Sequence, residues 1–400
     1  MTAKPQIARG TPAEVLRAFA RLGVSSFGGP IAHLGYFRHE FVTRRGWIDD
    51  AGYADLVALC QFLPGPASSQ VGFSIGLARA GYLGGLAAWT GFTLPSALAL
   101  TAFAYAASRL QGAVGEGLLH GLKLVAVAIV AQAVLGMART LCPDAPRATI
   151  AAAALLAMSA AGGSVAQLWV LVAGGAAGLV CCRSSVAVPA ASDAGSPVSH
   201  RAAVCFLAAY FVLLGLSFAP APSATVALWD AIYRSGALVF GGGHVVLPLL
   251  RTAVVDPGWV SNDAFLAGYG AAQAVPGPLF SFAAYLGAAA GGVLGAAVAL
   301  VAIFVPGMLA LMGTLPFWHT LRSRPLSRAA MAGVNAAVVG LLAAALYDLV
   351  WTSAVRTPLD FALAAAGFVL LVAWRTPPVW VVAAGAAAGA VQAVAGYAAH

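Results

Sequence analysis

Residues 61–69 read QFLPGPASS, and residues 273–281 read QAVPGPLFS. Each stretch places Pro-Gly-Pro inside a run of mostly apolar residues. Proline lacks an amide proton and its ring clashes with the preceding helical turn, so neither run continues as one straight helix. At membrane depth, the freed backbone groups need partners from protein, water or a ligand. The two stretches therefore predict a pair of broken helices that line a cavity.

The composition places these broken helices in a membrane. Of the 400 residues, 61% are hydrophobic and 8% are charged, against roughly 25% charged in a soluble domain. Apolar runs of about 17 to 25 residues, the length that crosses a bilayer as helix, recur along the chain. We therefore predict an all-α polytopic membrane protein with about 13 transmembrane helices. The predicted spans are 13–37, 53–78, 81–107, 118–140, 147–163, 165–182, 202–219, 229–251, 263–288, 290–314, 330–351, 359–374 and 378–398.

The chain also repeats itself outside the two opening stretches. Phe27-Gly28-Gly29 recurs as Phe240-Gly241-Gly242, and Gly46-Trp47 recurs as Gly258-Trp259. Matches in the same order at nearly one offset indicate a duplicated half-protein. The predicted units are a first membrane repeat at 1–182, a polar linker with an extra transmembrane helix at 183–219, and a second repeat at 220–400.

The extra helix sets the relative orientation of the repeats. It leaves an odd number of crossings between corresponding helices, which predicts inverted repeats. Most basic residues then fall on one face, the expected cytoplasmic face; they are Lys4, Arg9, Arg139, Arg147, Arg183, Arg201, Arg251, Arg322, Arg324, Arg328 and Arg375. The segment Arg38–Asp50 breaks this rule unless the first apolar run is re-entrant, and the sequence leaves both possibilities open.

The residues after each Pro-Gly-Pro suggest what the cavity binds. A helix that restarts after Pro66 presents unpaired amides, its positive dipole end and the hydroxyls of Ser68 and Ser69, which suit a tetrahedral oxyanion. In the second repeat Ser281 matches Ser69, whereas Phe280 replaces Ser68. A kink without a ligand is the alternative. The predicted substrate-binding residues are Gly28, Gly29, Pro30, Arg38, Gln61, Pro64, Gly65, Pro66, Ser68, Ser69, Lys123, Gly241, Gly242, Gln273, Pro276, Gly277, Pro278 and Ser281.

Several charged or titratable candidates have an ordinary alternative. Lys123 lies within an apolar run, where a charge marks a functional site or reaches the interface by snorkelling. Arg38 either attracts an anion or anchors the interface. His244 and Asp55 are candidate proton carriers. The alternative for His244, a packed neutral histidine, is favoured over proton transfer, and Asp55 is close enough to an interface to be an ordinary solvated carboxylate.

The chain lacks the signatures of several other classes. There is no phosphate-binding Gly-x-x-x-x-Gly-Lys-Ser/Thr motif and no dense basic run, so we expect no nucleotide and no nucleic acid. The five cysteines form no Cys-x-x-Cys motif, and we expect neither a metal nor any other cofactor. No cluster of catalytic residues lies at one depth, which argues against an intramembrane enzyme. A transporter driven by an ion gradient or by exchange remains.

The paired FGG, GW and Q-x-x-PGP motifs resemble those of the bacterial chromate ion transporters in their long, two-repeat form. The resemblance implies efflux of chromate and chromate resistance, and sulfate or another tetrahedral oxyanion is the alternative substrate. We expect the dianion to lie between the two Pro-Gly-Pro breaks, with the first half dominating its recognition. Lipid surrounds the chain, which we expect to act as a monomer or homodimer.

Overall fold

The computed structural model describes residues 10–107, 109–110, 112–161, 163–182, 196–241 and 243–398. These residues form α-helices with short 3₁₀ and π segments and no β-strand, which confirms the all-α prediction. The first half contains α1 Pro12–Ser25, α2 Gly29–Phe37 continued by the π-helix Arg38–Arg44, α3 Asp50–Phe62, α4 Ala67–Ala107, α5 Gly112–Leu141, α6 Ala145–Ala161 and α7 Gly163–Cys181.

Helix α8, His200–Leu216, precedes the second half. The helices of the second half are α9 Ala224–Ala237, α10 Val246–Val254, α11 Asn262–Ala272, α12 Phe282–Thr314, α13 Trp318–Ser323, α14 Pro325–Ala345, α15 Thr352–Ala354, α16 Pro358–Val372 and α17 Pro378–Ala398. Among the described residues, five helical segments are long and apolar enough to cross a membrane, and five shorter apolar helices accompany them.

Helix α4 folds back on itself. Gly81 has φ 68° and interrupts the helix, and a methyl group on Gly76 would collide with the carbonyl of Gly84. Residues eight apart in a straight helix are about 12 Å apart, so this contact requires an antiparallel bend. Helix α12 bends in the same way at Gly292, which has φ 66°. The residues after each Pro-Gly-Pro therefore form a short arm that returns before a longer helix crosses.

The first apolar run is a helical hairpin. The amide of Gly10, before α1, donates to the carbonyl of Arg79 at 3.0 Å. At the far end of the run, the guanidinium carbon of Arg79 lies 5.0 Å from the centroid of the Trp47 ring. Between them, Phe19 of α1 stacks on Phe41 at 4.7 Å. Both ends of the run therefore meet at the bend of α4, and the run re-enters instead of crossing.

The second half repeats this arrangement. The Ser235 hydroxyl of α9 donates to the carbonyl of Leu249 in α10 at 3.3 Å, and Tyr285 of α12 donates to the carbonyl of Ala264 in α11 at 2.9 Å. Each contact joins the two arms of a hairpin, α9 with α10 and α11 with the start of α12. Each of the 13 predicted segments overlaps at least one helix, and four of them, 13–37, 53–78, 229–251 and 263–288, each contain two helices that form a re-entrant hairpin.

The hairpins remove the exception in the charge pattern. Arg38, Arg44 and Arg45 lie on the same face as the start of α1, together with Arg79. Arg251 belongs instead to the opposite face, because α10 returns to where α9 began, and it pairs there with Asp256 at 2.9 Å. Five crossing helices, the long part of α4 and then α5 to α8, separate the repeats. Five is odd, so the repeats are inverted.

The distal helices of the two halves interlock. In the second half, α17 packs on α5 so closely that a methyl group on Gly385 would collide with Val125. In the first half, α7 packs on α14 through Gly174 and Gly333. Small residues allow this close approach between membrane helices. The last helix of each half therefore packs on a long helix of the other half, α17 on α5 and α7 on α14.

Candidate functional site

Each Pro-Gly-Pro loop is hydrogen-bonded to the other half. The amide of Gly65 donates to the carbonyl of Val239 at 2.8 Å, and the amide of Gly277 donates to the carbonyl of Ser26 at 3.0 Å. Val239 and Ser26 are equivalent residues, each directly before a Phe-Gly-Gly motif. The four interruptions that the sequence predicts therefore meet as two reciprocal pairs.

Glycine is required at the centre of each loop. Gly65 has φ 115° and Gly277 has φ 104°, values that residues with a Cβ rarely adopt. A Cβ on Gly65 would lie 2.9 Å from the Cα of Gly307, and one on Gly277 would lie 2.9 Å from the Ser96 hydroxyl. Gly307 and Ser96 are again equivalent, since each follows a proline inside the crossing part of its helix. The same packing therefore occurs twice.

The contact between the second Pro-Gly-Pro loop and the first Phe-Gly-Gly motif borders a cavity of about 570 Å³. The first half contributes its Phe-Gly-Gly motif and α5, and the second half contributes its Pro-Gly-Pro loop and the turn between α16 and α17. The cavity is lined by Phe27, Gly28, Gly29, Tyr36, Ile129, Gln132, His244, Ala272, Gln273, Val275, Gly277, Leu279, Leu371, Arg375, Thr376, Pro377, Pro378 and Val379.

Some residues of the cavity wall carry hydrogen-bond donors without a protein partner among the described residues. Gly28 and Gly29 begin α2, and among the described residues none accepts a hydrogen bond from their amides. The Gln273 Nε2 is buried and has no partner within the described ranges. Helix N-termini and unpaired N–H groups favour an anion over a cation.

His244 supplies a titratable group. Its Nδ1 lies 2.7 Å from the Tyr269 hydroxyl, and the ring lines the cavity. Since imidazole can exchange a proton near neutral pH, its place in the cavity is compatible with the proton-coupling prediction. That role stays a prediction.

Arg375 is the only charged side chain among the described lining residues. Its side chain is exposed, and in the described part of the chain no carboxylate pairs with it. The position of Arg375 across the membrane can be read from α5, which lies beside it. Gln132 of α5 donates to the carbonyl of Leu371, four residues before Arg375, at 3.4 Å. Gln132 is 20 residues, or about 30 Å, from the start of α5 at the opposite face. The cavity therefore opens towards the face where α1 begins.

The predicted residues of the first Pro-Gly-Pro loop lie outside this cavity. Ser68 and Ser69 are buried, and the Pro64 carbonyl accepts from Gln70 Nε2 at 2.9 Å. Gln61 is exposed. Other predicted residues lie near the two contacts between a Pro-Gly-Pro loop and the opposite half. Pro66 packs on Gly307, Pro30 packs on Gly243, and Gly241 lies beside Asn335. Pro276 and Pro278 flank Gly277, and the Ser281 hydroxyl donates to the Pro278 carbonyl. Gly242 lies outside the described residues.

The predicted charged residues have protein partners. Arg38 forms two hydrogen bonds to Asp50, at 2.8 and 2.9 Å. The buried Lys123 donates to Asp263 at 3.0 Å. Neither basic residue lines the cavity.

Asp55, predicted as a proton carrier, accepts from the Trp318 indole at 3.0 Å and is likewise absent from the lining residues. Within the described ranges, no three His, Cys, Asp or Glu side chains converge as a metal site would require.

Comparison with known proteins matches both halves to one family. The family model described as chromate transporter covers residues 13–179 and 226–390. The chain belongs to the chromate transporter family. The two matched ranges also confirm the repeats that the Phe-Gly-Gly and Pro-Gly-Pro motifs predict.

Relatives with assigned names match over most of the chain. A chromate transport protein of Pseudomonas aeruginosa is 29% identical over 378 residues, which cover 90% of this chain and 87% of the relative. A probable chromate transport protein of Synechococcus elongatus is 28% identical, with 84% of each chain covered. A chromate transport protein of Cupriavidus metallidurans is 26% identical, with 86% of this chain and 84% of the relative covered. No solved structure matches this chromate transporter family member.

Sequence reasoning used Arg375 only as a marker of topology and did not select Gln132. Arg375 follows the short helix α16, and its equivalent in the first half is Gly163. The signal in the sequence was that the second repeat has an arginine where the first repeat has a glycine. Gln132 gave no comparable signal, because one amide in a long apolar helix is ordinary.

Proposed function

We propose that this chain is a secondary active transporter that exports chromate across the bacterial inner membrane and so confers chromate resistance. Its family membership, and the names of relatives that align over most of its length, support chromate as the substrate. The observation that carries the proposal is the central cavity, which combines unpaired N–H donors with one cation. Those groups suit a tetrahedral dianion.

The dimensions of the cavity favour a partly hydrated ion. A volume of about 570 Å³ holds roughly 20 water molecules at about 30 Å³ each. The anion therefore enters with water and exchanges part of its hydration for the amides of Gly28 and Gly29 and for Gln273 Nε2. Hydrogen bonds between such donors and an ionised group are stronger than those between neutral groups.

Inverted repeats supply a route to the other face. In the described conformation the second Pro-Gly-Pro loop and the first Phe-Gly-Gly motif line the cavity. If the halves exchange conformations, the first Pro-Gly-Pro loop and the motif at Phe240 line an equivalent cavity that opens oppositely. Gln61, the equivalent of the lining residue Gln273, is then placed to contact substrate. Ser68 and Ser69 are equivalent to Phe280 and Ser281, which lie outside the described cavity, so their role in binding stays a prediction.

The charge distribution supports a cytoplasmic location for the open face. Arg38, Arg44, Arg45 and Arg79 join the basic residues already expected on that face, whereas Arg251 moves to the other. The described conformation is then inward-facing, ready to take up an ion for export.

The membrane potential alone can drive this export. Moving one charge through 100 mV corresponds to about 2.3 kcal/mol, so a dianion leaving a negative interior gains about 4.6 kcal/mol. At 1.4 kcal/mol per tenfold ratio, this supports a concentration ratio of roughly 10³. Proton coupling through His244 or Asp55 is therefore an addition to the mechanism and not a thermodynamic requirement.

The proposal is tested by chromate accumulation in bacterial cells that express the protein, compared with a vector control. We expect lower accumulation, which rises again when the membrane potential is collapsed. Excess sulfate in the cytoplasm should have little effect if the protein selects chromate, whereas restored accumulation would show a general oxyanion exporter. Equal accumulation in expressing and control cells, with insertion verified, would reject chromate export.

A further inference from the structure

The backbone of Arg375 has an unusual conformation. Its φ is 54°, and it is the only residue other than glycine with positive φ in the described ranges. Helix α16 ends just before it, where the amide of Trp374 donates to the Val369 carbonyl and that of Thr376 donates to the Leu370 carbonyl. A helix that ends in this way favours glycine at the left-handed position. An arginine there strains the backbone and needs another reason.

The first half shows the unstrained form of the same turn. Between α6 and α7, the left-handed residue is Gly163, with φ 78°. The two turns hold equivalent places, because α7 packs on α14 as α17 packs on α5. The duplicated architecture therefore forms with glycine, and folding does not require an arginine at this turn.

The surroundings of Arg375 point to an anionic ligand. It lines the cavity, where the other described lining residues, apart from the titratable His244, are apolar, glycine, proline or neutral polar side chains. Four other arginines on this face have carboxylate partners: Arg38 pairs with Asp50, Arg44 and Arg45 pair with Glu40, and Arg147 pairs with Asp144. A cation that faces a cavity of N–H donors, without a carboxylate nearby, increases the positive potential of the whole cavity.

We propose that Arg375 captures the substrate dianion on the inward-facing side, and that the glycine at the equivalent turn makes the outward-facing side the weaker binder. This inference rests on the proposed function and deepens it. Guanidinium matches a tetrahedral oxyanion by donating two parallel hydrogen bonds. The substrate passes from Arg375 at the cavity wall to the amides of Gly28 and Gly29 and to Gln273.

The asymmetry affects kinetics and not the final gradient. A transporter cannot shift the equilibrium that its driving force sets. Tighter capture on one face lowers the KM for substrate from that face, so the protein works at low internal chromate while external chromate returns slowly. The proposal therefore predicts two different KM values for the same protein.

Transport in membrane vesicles of both orientations tests this. Everted vesicles present the cytoplasmic face to labelled chromate, and right-side-out vesicles present the opposite face. We expect Arg375→Gln to raise the KM at the cytoplasmic face at least tenfold and to leave the KM at the other face within about twofold of wild type. Arg375→Lys, which keeps the charge without the planar fork, should fall between. Arg324→Gln, an exposed arginine outside the cavity, is the matched control.

Arg375→Gly separates binding from folding. Glycine relieves the left-handed strain, so this variant should unfold at the same or a higher temperature than wild type while it loses cytoplasmic affinity. A lower unfolding temperature in both Arg375→Gly and Arg375→Gln would assign Arg375 a structural role and overturn the proposal. Equal KM values for wild type and Arg375→Gln at the cytoplasmic face would overturn it as well.

Equilibrium binding distinguishes this inference from the proposed function. If wild type transports no chromate, dialysis of the purified protein against labelled chromate and labelled sulfate still measures the site. Binding that Arg375→Gln weakens would support the anion site and reject chromate export alone. Binding of neither ion by wild type would overturn both proposals, and transport with unaltered Arg375→Gln kinetics would overturn only this one.

Discussion

Lys123 was predicted to bind substrate because of its intramembrane position, but in the structure it forms an ion pair with Asp263. Its side chain is 7% exposed, whereas that of its partner Asp263 is 60% exposed. The two partners should therefore respond unequally to substitution. Asp263→Asn leaves a buried ammonium without a counter-ion, which costs about 3–5 kcal/mol of stability. Lys123→Met removes the buried charge and leaves a solvated carboxylate, with a loss of less than about 1 kcal/mol.

The assay is unfolding of the purified protein in detergent, followed by tryptophan fluorescence, combined with transport of labelled chromate. We expect Asp263→Asn to be the less stable single variant, and the double variant with Lys123→Met to regain most of the lost stability. Transport by Lys123→Met should persist. Loss of transport in Lys123→Met with normal stability, together with a harmless Asp263→Asn, would refute this reasoning and show that Lys123 binds substrate.

Three further predictions address the loops, the cavity and the hairpins. Gly65→Ala and Gly277→Ala should each lower the free energy of unfolding by at least about 2 kcal/mol, since a left-handed conformation and a close contact both oppose the methyl group; Gly35→Ala, with no atom within 4 Å of its Cβ position, is the control and should be harmless. Gln273→Leu should raise the KM for chromate roughly tenfold or more without a change in unfolding temperature, because the lost amide has no protein partner; an unchanged KM would remove Gln273 from the site. In a chain with its five cysteines replaced by alanine, Arg38→Cys should react with an impermeant maleimide only from the cytoplasm and Asp256→Cys only from the outside; labelling of Arg38→Cys from the outside would contradict the re-entrant first hairpin.

Much of the architecture was predictable because it depends on local chemistry. Pro-Gly-Pro at Pro64 and Pro276 cannot continue a helix, so both breaks were visible in the sequence. Apolar length alone could not distinguish a crossing helix from a re-entrant hairpin. The distinction depends on glycines at Gly81 and Gly292, whose positive φ turns the chain back, and on the contact of Trp47 with Arg79 across the fold.

The site was predictable in part. Gly28, Gly29, Gln273, Gly277 and His244 were selected from the motifs, and the structure brings them together around one cavity. The contribution of α5 and of the turn after α16 was not predictable, because it depends on the interlocking of the two halves. Charged residues were the least reliable guide, since a sequence does not show which carboxylate lies opposite a given arginine or lysine.

The most direct test of the account uses purified protein in liposomes, with a potassium diffusion potential imposed by valinomycin and labelled chromate on one side. We expect chromate to accumulate in the compartment that is made positive, at a rate that increases with the imposed potential, without any pH gradient. Accumulation that ignores the potential, or its absence from liposomes in which the protein is folded and inserted, would contradict the claim that this chain exports the chromate dianion.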